Sequence, residues 1–259
     1  MNLTADYHTH TVFSHGKGTI YDNVKAAADA NLREIGITDH GFSHPAFGLT
    51  KRKIPKMRAL CTEAEREFGV KTYLGIESNI IGLDGRTDLT EKMYDDFDLF
   101  LAGFHKFVLF KFSALFKLFT PNMITAYLKK DKPSKSLVKT NTKTFINVIK
   151  TRPVDVITHL NFFCFADAVE VAKAAADYGT YLEISSKKTH LTDDELNALL
   201  KTDVRFVIDS DAHTPSRVGD TALAEQTLGR IGFDASRIDN IDGRLPKFRF
   251  TAFKGEAGR

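Results

Sequence analysis

Histidines and carboxylates recur in this sequence at the ends of short apolar runs, where a metal site could form. His8 and His10 close the first run, and Asp211 and His213 follow the last one. Residues two apart on an extended segment face the same side, so each pair can direct both side chains at one ion. Imidazole and carboxylate groups are ligands of borderline divalent metals. Each pair alone is common by chance, but together they indicate metal chemistry.

The apolar runs between these pairs end in further ligand types. His40, Glu77, His105 and His159 each follow a separate run, and His15 lies in the loop after the first. The predicted metal ligands are therefore His8, His10, His15, His40, Glu77, His105, His159, Asp211 and His213, of which Glu77, Asp211 and His213 are also the predicted catalytic residues. The alternative, unrelated structural roles for seven histidines and two acids, explains their positions poorly.

Short apolar segments alternate with helical patterns, which predicts a parallel sheet. Predicted strands end near residues 10, 38, 76, 104, 158, 184 and 208, and predicted helices cover 21–30, 54–68, 139–150, 166–178, 192–200 and 221–231. Residues 248–250 have a strand-like pattern. Gly16 and Gly18 lack the third glycine of a dinucleotide-binding loop. This favours a closed or distorted barrel, in which the carboxyl ends of the strands meet at one rim.

Length and composition fit one domain, with 259 residues of which 42% are hydrophobic. We predict a single barrel domain over 1–259, with an insertion over the active rim at 106–136. Cys61 and Cys164 are far apart and form no disulfide framework, so we expect a cytoplasmic location. The most apolar run, 107–119, is interrupted by lysines and is shorter than the roughly 20 residues a membrane span needs.

The segment 106–136 and the residues that follow it up to 150 have two features whose interpretation stays open. Its phenylalanines are Phe107, Phe110, Phe112, Phe116 and Phe119. Packing of these rings into the core is the simpler account, and a lid or a homo-oligomer interface is the alternative. Lysines outnumber acids from Lys106 to Lys150; a solvated face is the common meaning, and attraction of an anionic substrate is the other.

The order of the ligand motifs resembles the polymerase-and-histidinol-phosphatase (PHP) superfamily. The motifs are 6–11, 38–40, 75–77 and 210–214, so the resemblance covers nearly the whole chain. It implies a distorted (β/α)7 barrel with a trinuclear site at the carboxyl ends of the strands, holding two to three ions of zinc, manganese or iron. By this resemblance the ligands divide into three sets, namely His8, His10, Glu77 and Asp211; Glu77, His105 and His159; and His15, His40 and His213.

The resemblance implies a metal-dependent phosphoesterase in which a metal-bound hydroxide is the nucleophile. A phosphomonoesterase on a small phosphorylated metabolite is the leading interpretation, and histidinol phosphate is one candidate substrate. A nuclease or phosphodiesterase is the second; it would need a broad basic groove, so nucleic acid is disfavoured as a partner but not excluded. A non-catalytic binding module is the third, and it is disfavoured because no ligand type is missing.

Three side chains near the ligands are candidate phosphate contacts. Arg217, on the loop that leaves the last strand, could grip phosphate with two parallel hydrogen bonds, although a surface salt bridge explains it equally well. Lys106 and Asn161 lie one and two residues beyond ligand histidines. Glu183, near another strand end, could orient a ligand histidine or pair with a lysine such as Lys187.

His44 and His190 are the two histidines outside the ligand set. A lone histidine is usually a surface or hydrogen-bonding residue, and we interpret both in that way. His44 has the stronger claim to a role at the site, because it follows His40 by four residues on the same predicted rim.

Overall fold

The strands form a nearly closed parallel barrel in a computed structural model that describes residues 1–128 and 132–256. In these residues the sheet contains β1 (Ala5–Thr9), β2 (Glu34–Ile37), β3 (Lys71–Asn79), β4 (Leu99–Gly103), β5 (Val156–Ile157), β6 (Tyr181–Ser185) and β7 (Phe206–Asp209), paired in that order. A parallel bridge joins Thr9 to Ala212, so the end of β7 returns beside β1. The predicted distorted (β/α)7 barrel is confirmed.

Helices connect the strands in the described residues, and six of them lie close to where the sequence predicts helices. They are α1 (Ile20–Asp29), α2 (Ile54–Phe68), α3 (Phe112–Ala114), α4 (Thr120–Leu128), α5 (Lys135–Thr151), α6 (Ala168–Tyr178), α7 (Asp193–Leu199), α8 (Ala222–Ile231) and α9 (Arg249–Glu256). The prediction for α2 matches residue for residue. Helix α5 begins four residues before its predicted start, because the Ser134 hydroxyl accepts a hydrogen bond from the backbone N–H of Leu137 and caps the helix there.

The strand-like interpretation of residues 248–250 is wrong, because helix α9 begins at Arg249. Phe250 is fully buried, and its ring packs on Tyr94 and Phe100 with centroid distances of 5.1 and 5.6 Å. Phe248 packs edge-on against Tyr7, with a centroid distance of 4.8 Å. The alternation of aromatic residues therefore reflects two separate contacts with the barrel and not a pleated strand.

An apolar layer fills the barrel below the rim and supports the residues above it. It consists of Ala5, Tyr7, Leu99, Leu101, Val156, Tyr181 and Val207. Because alternate residues of a strand share a face, the strands that supply this layer carry polar groups at its upper edge. Strand β6 places Tyr181 in the layer and Glu183 two residues later, at the rim.

The segment predicted as an insertion over the rim follows β4. It contains α3, a π-helical stretch Leu115–Phe119 and α4. The Nζ of Lys106 donates a hydrogen bond to the Tyr127 hydroxyl (2.8 Å), so α4 returns to the position where β4 ends. Lys129, Lys130 and Asp131 lie outside the described residues. The single-domain organisation and the insertion stay predictions.

The phenylalanines of this segment divide between two environments. Phe110 and Phe119 are partly buried and pack on each other at 4.9 Å, and Phe110 also meets Phe104. Phe107, Phe112 and Phe116 are exposed. The prediction of inward packing therefore holds for only part of the set. Across the described residues, no helix combines the length and apolar character that crossing a membrane requires.

Candidate metal centre

Glu77, fully buried near the end of β3, is the centre of the cluster. Its Oε1 lies 2.8 Å from His159 Nε2, 3.0 Å from His105 Nε2 and 3.3 Å from His8 Nε2. Its Oε2 lies 2.8 Å from His40 Nδ1. One carboxylate thus faces imidazoles from several different strand ends, as expected if Glu77 bridges two ions, the role that the resemblance implies.

Asp211, just beyond β7, faces the other side of the cluster. Its Oδ1 lies 3.2 Å from His10 Nε2, 3.3 Å from His213 Nδ1 and 3.8 Å from His8 Nε2. Its Oδ2 forms an ion pair with Lys187 Nζ at 2.9 Å. The two motifs at opposite ends of the sequence therefore meet in space, because β1 and β7 are neighbours in the barrel.

All nine predicted ligands lie in this one cluster. His15 stacks on His40 with a centroid distance of 4.7 Å and meets the edge of His213 at 4.2 Å. In each of three sets of residues, the donor atoms lie within 4.8 Å of one another. The sets are His8, His10 and Asp211; His40, Glu77 and His105; and His10, His40 and His213. They overlap the predicted sets but group His40 with Glu77. The division of ligands among ions stays a prediction.

The donor atoms are arranged as a cation would require. His8 Nε2 and His10 Nε2 lie 3.1 Å apart. Glu77 Oε2 and His40 Nδ1 are buried and close, yet neither forms a hydrogen bond within the described part of the chain. Buried polar atoms without partners are rare and call for an explanation such as an ion. The residues therefore fit a divalent metal centre.

Burial keeps several of the imidazoles neutral, which leaves a nitrogen lone pair for a metal. Burial lowers the pKa of His105 to about 4 and that of His15 to about 3. Burial, together with neighbouring His40, holds the pKa of His10 well below its usual value. Burial alone would raise the pKa of Glu77, but the surrounding imidazoles outweigh it and hold that pKa well below its ordinary range.

Glu183 contacts His8, one of the predicted ligands. Its Oε1 lies 2.5 Å from His8 Nδ1, the distance of a hydrogen bond in which Nδ1–H donates. Its Oε2 accepts a hydrogen bond from the backbone N–H of His159 (2.6 Å). The proton on Nδ1 leaves Nε2 of His8 free for a metal. The structure thus favours the orienting role over the pairing with Lys187, which contacts Asp211 instead.

Two of the predicted ligands have an uncommon backbone conformation. The φ angles of His159 and Asp211 are +31° and +46°, in the left-handed region that non-glycine residues seldom adopt. Such residues cluster at functional sites, where the surrounding fold holds them in place. Gly103 at the end of β4 leaves room for the neighbouring ring, since a Cβ there would lie 2.8 Å from His159 Cε1.

A cavity of about 400 Å³ opens beside the ligands. Besides ligands, its walls contain His44, Phe47, Lys106, Phe107, Phe162, Ser185, Lys187, Lys188 and His190. Of the three predicted phosphate contacts, only Lys106 is among the lining residues. Lys187 and Lys188 add two further cations, so the cavity combines a metal centre with positive charge and aromatic surface.

The other two predicted contacts have partners elsewhere. Arg217 Nη2 lies 2.9 Å from Asp220 Oδ2 and donates to the carbonyl oxygen of Ser186 (3.1 Å). The amide of Asn161 donates to Glu195 Oε1 (2.9 Å) and accepts from the backbone N–H of Ala166 (2.8 Å). Neither is among the residues that line the cavity, and their roles in substrate binding stay predictions.

Sequence reasoning missed part of the cavity wall. Lys187, Lys188 and His190 lie in the loop after β6. From the sequence, Lys187 is expected only as a partner of Glu183, His190 only as a surface or hydrogen-bonding residue, and Lys188 is not singled out at all. The signal that could have found them is positional, since every loop after a barrel strand reaches the same rim. His44 also lines the cavity, in agreement with its place shortly after His40.

Metal removal is expected to abolish activity and to destabilise the fold. The protein purified with metal should carry two to three ions per chain. An ion that binds only the folded state, at a free concentration of a hundred times its Kd, adds about 2.7 kcal/mol to the free energy of unfolding. For a chain of this size, each kcal/mol of that free energy corresponds to about 2–4 °C in Tm. Chelation should therefore lower Tm by on the order of 5–10 °C per ion, measured by calorimetry beside elemental analysis. An unchanged Tm after verified metal loss would contradict this.

Comparison with known proteins identifies the class. Residues 6–189 match the PHP domain family. A protein from Tolumonas auensis named "Probable phosphatase" is 31% identical over 261 residues, covering 95% of this chain and 92% of that relative. A Thermoanaerobacter protein that is also named as a probable phosphatase is 30% identical over 265 residues, covering 96% of this chain and 95% of that relative. The chain belongs to the PHP domain family, so the predicted resemblance is confirmed.

A solved structure shares the fold. The crystal structure of histidinol phosphate phosphatase from Lactococcus lactis, complexed with zinc, L-histidinol and phosphate, aligns with a TM-score of 0.61. The alignment covers 96% of this chain and 97% of that protein at 17% sequence identity. At this identity the likeness concerns the fold, and it agrees with the barrel described above.

Proposed function

We propose that this protein is a metal-dependent phosphomonoesterase acting on a small phosphorylated metabolite. The broader class, a metal-dependent phosphoric-ester hydrolase, is confirmed by the family and by the relatives named as phosphatases. The observation that carries the proposal is the cluster around Glu77, in which nine ligand-type side chains meet at the base of a cavity with lysines in its wall.

The cluster would hold two to three divalent ions. Glu77 and Asp211 would supply the carboxylates, and the seven histidines would supply neutral nitrogen donors. Bound there, the ions would neutralise phosphoryl charge and lower the pKa of a water molecule at the site. Zinc, manganese and iron suit this donor set, and zinc is the ion in the Lactococcus lactis protein.

Around the ions, the protein's own residues would bind and orient the substrate. Lys187 Nζ lies 2.9 Å from Asp211 Oδ2 and 3.1 Å from His213 Nδ1, so its charge is beside the ligands. We propose that Lys187 and Lys106 attract the phosphate dianion, with Glu77, Asp211 and His213 nearest the reacting group. A volume of about 400 Å³ suits a small-molecule substrate, and histidinol phosphate is one candidate.

The test compares three outcomes with the protein loaded with zinc or manganese. Hydrolysis of p-nitrophenyl phosphate well above that of bis(p-nitrophenyl) phosphate supports the monoesterase. The reverse preference would favour the phosphodiesterase or nuclease. Absence of both activities, and of phosphate release from a panel of phosphorylated metabolites, would favour the non-catalytic binding module.

Replacement of Lys187 by alanine is expected to lower kcat/KM for phosphomonoesters by roughly 10- to 150-fold, the cost of losing a hydrogen bond to a charged group. Bound metal should not change. Arg217→Ala provides the comparison, because its guanidinium contacts Asp220 outside the cavity-lining residues. A 30- to 150-fold loss of kcat/KM in Arg217→Ala, with no loss in Lys187→Ala, would contradict the choice of Lys187. It would restore Arg217, the phosphate contact predicted from the sequence.

A further inference from the structure

Large apolar side chains are concentrated on the outer side of the segment from Phe107 to Leu128. Six of them are more than half exposed, with Phe112 at 80% and Leu128 at 78%, and the others are Phe107, Leu109, Phe116 and Tyr127. We call these six residues the apolar surface. Among the large hydrophobic residues elsewhere in the described chain, only Val12 exceeds half exposure. Exposed apolar clusters of this kind mark interaction sites.

The inner side of the same segment accounts for its folding without help from the apolar surface. Ala114 and Leu118 are fully buried in the core. Phe112 and Phe116, one helical turn apart, stack edge to face at 5.0 Å and point outward. The segment therefore has apolar residues on both its inner and its outer side, and the rings of Phe112 and Phe116 contact each other on the outer side.

The charge around the apolar surface indicates which partner fits it. The segment from Lys106 to Leu128, which carries the apolar surface, has three lysines and no acid. Two of these lysines, Lys111 and Lys117, flank Phe112 and Phe116 and are exposed. A second copy would bring like charges together across a twofold interface, which is unfavourable. A bilayer with acidic lipids offers both an apolar interior and negative charge.

We propose that the apolar surface docks on membranes that contain anionic lipids. The inference goes beyond the proposed phosphatase activity and does not depend on it. The surface adjoins the cavity, because Phe107 lines the cavity wall and Tyr127 accepts a hydrogen bond from Lys106, which also lines it. Docking would therefore place the mouth of the cavity beside the membrane.

The experiment is flotation of the full chain, loaded with metal, with vesicles of phosphatidylcholine alone or with 30 mol% phosphatidylglycerol as the chosen probe. We expect binding to the anionic vesicles only. The double variant Phe112→Ser/Phe116→Ser should weaken it by on the order of tenfold or more, since it removes inserted apolar area. The double variant Lys111→Glu/Lys117→Glu should weaken binding to anionic vesicles at least as much, because each lysine removed lowers the affinity about fivefold.

Matched controls separate this surface from general charge and stickiness. Tyr178→Ser removes an exposed aromatic ring on α6, and Lys56→Glu/Lys173→Glu reverses two exposed lysines on other helices. Both should bind like the unaltered protein. Equal losses in the controls would overturn the proposal, as would absence of binding to anionic vesicles or equal binding to neutral ones.

Two further results would overturn it in favour of other occupants. Loss of vesicle binding on addition of inorganic phosphate would show that lipid headgroups enter the metal cavity. A dimer by light scattering that the Phe112→Ser/Phe116→Ser variant dissociates would assign the surface to a second copy. Hydrolysis of p-nitrophenyl phosphate without vesicles should be unchanged in Phe112→Ser/Phe116→Ser and in Lys111→Glu/Lys117→Glu. A protein that binds anionic vesicles but releases phosphate from neither p-nitrophenyl phosphate nor the metabolite panel would contradict the proposed function and leave the docking surface in place.

Discussion

The Glu77→Gln variant is expected to lose at least one bound metal ion and to turn over phosphomonoesters roughly a hundredfold or more slowly. Both carboxylate oxygens of Glu77 face imidazole nitrogens at 2.8–3.3 Å, and the side chain is fully buried. Glutamine keeps the shape but replaces one oxygen by an N–H donor and removes the negative charge. Two cations close together in a buried site would then lack the charge that stabilises both of them.

The measurement pairs elemental analysis with kcat under metal-replete conditions. Glu63→Gln on the exposed side of α2 is the matched control and should retain metal and turnover. Circular dichroism of Glu77→Gln should show a folded barrel, so that the loss is attributed to the site. Full metal content with near-normal turnover would remove Glu77 from the bridging role.

Much of the metal centre could be predicted from the sequence because of barrel geometry. Parallel strands that follow each other in order bring their carboxyl ends to one rim, so a ligand type at each strand end is enough to predict the cluster. The pairing of His10 with Asp211 across the sequence follows from closure of β1 on β7. The grouping of His40 with Glu77 could not be predicted, because it depends on distances of a few ångströms between side chains.

The loops and the segment after β4 were less predictable for different reasons. Lys187 lines the cavity because of the path of the loop after β6. That loop has no periodic sequence pattern from which its path could be predicted. In the Phe-rich segment, the π-helical stretch Leu115–Phe119 changes the angle between successive side chains, so spacing in the sequence does not say which rings point inward. At Phe250, contacts with Tyr94 and Phe100 decided the position of an aromatic residue whose local pattern suggested a strand.

The Glu183→Gln variant tests whether orientation of His8 is needed for metal binding. We expect a 10- to 100-fold loss of metal affinity or activity, the range for groups that hold a ligand histidine in place. Glu183 now accepts two hydrogen bonds, one from His8 Nδ1–H and one from the backbone N–H of His159. Glutamine has one oxygen acceptor, so it can satisfy only one of these donors.

The consequence differs with the way the amide turns. If its oxygen keeps the backbone N–H of His159, its NH2 faces His8 Nδ1, which must then accept, and the ring proton moves to Nε2, where a metal would bind. If it turns the other way, the NH2 opposes a backbone donor in a buried site, which costs on the order of 1–3 kcal/mol. Either result weakens the site without removing any ligand. Metal titration of Glu183→Gln beside Glu63→Gln measures this, and equal affinities would show that the other ligands fix His8 without Glu183.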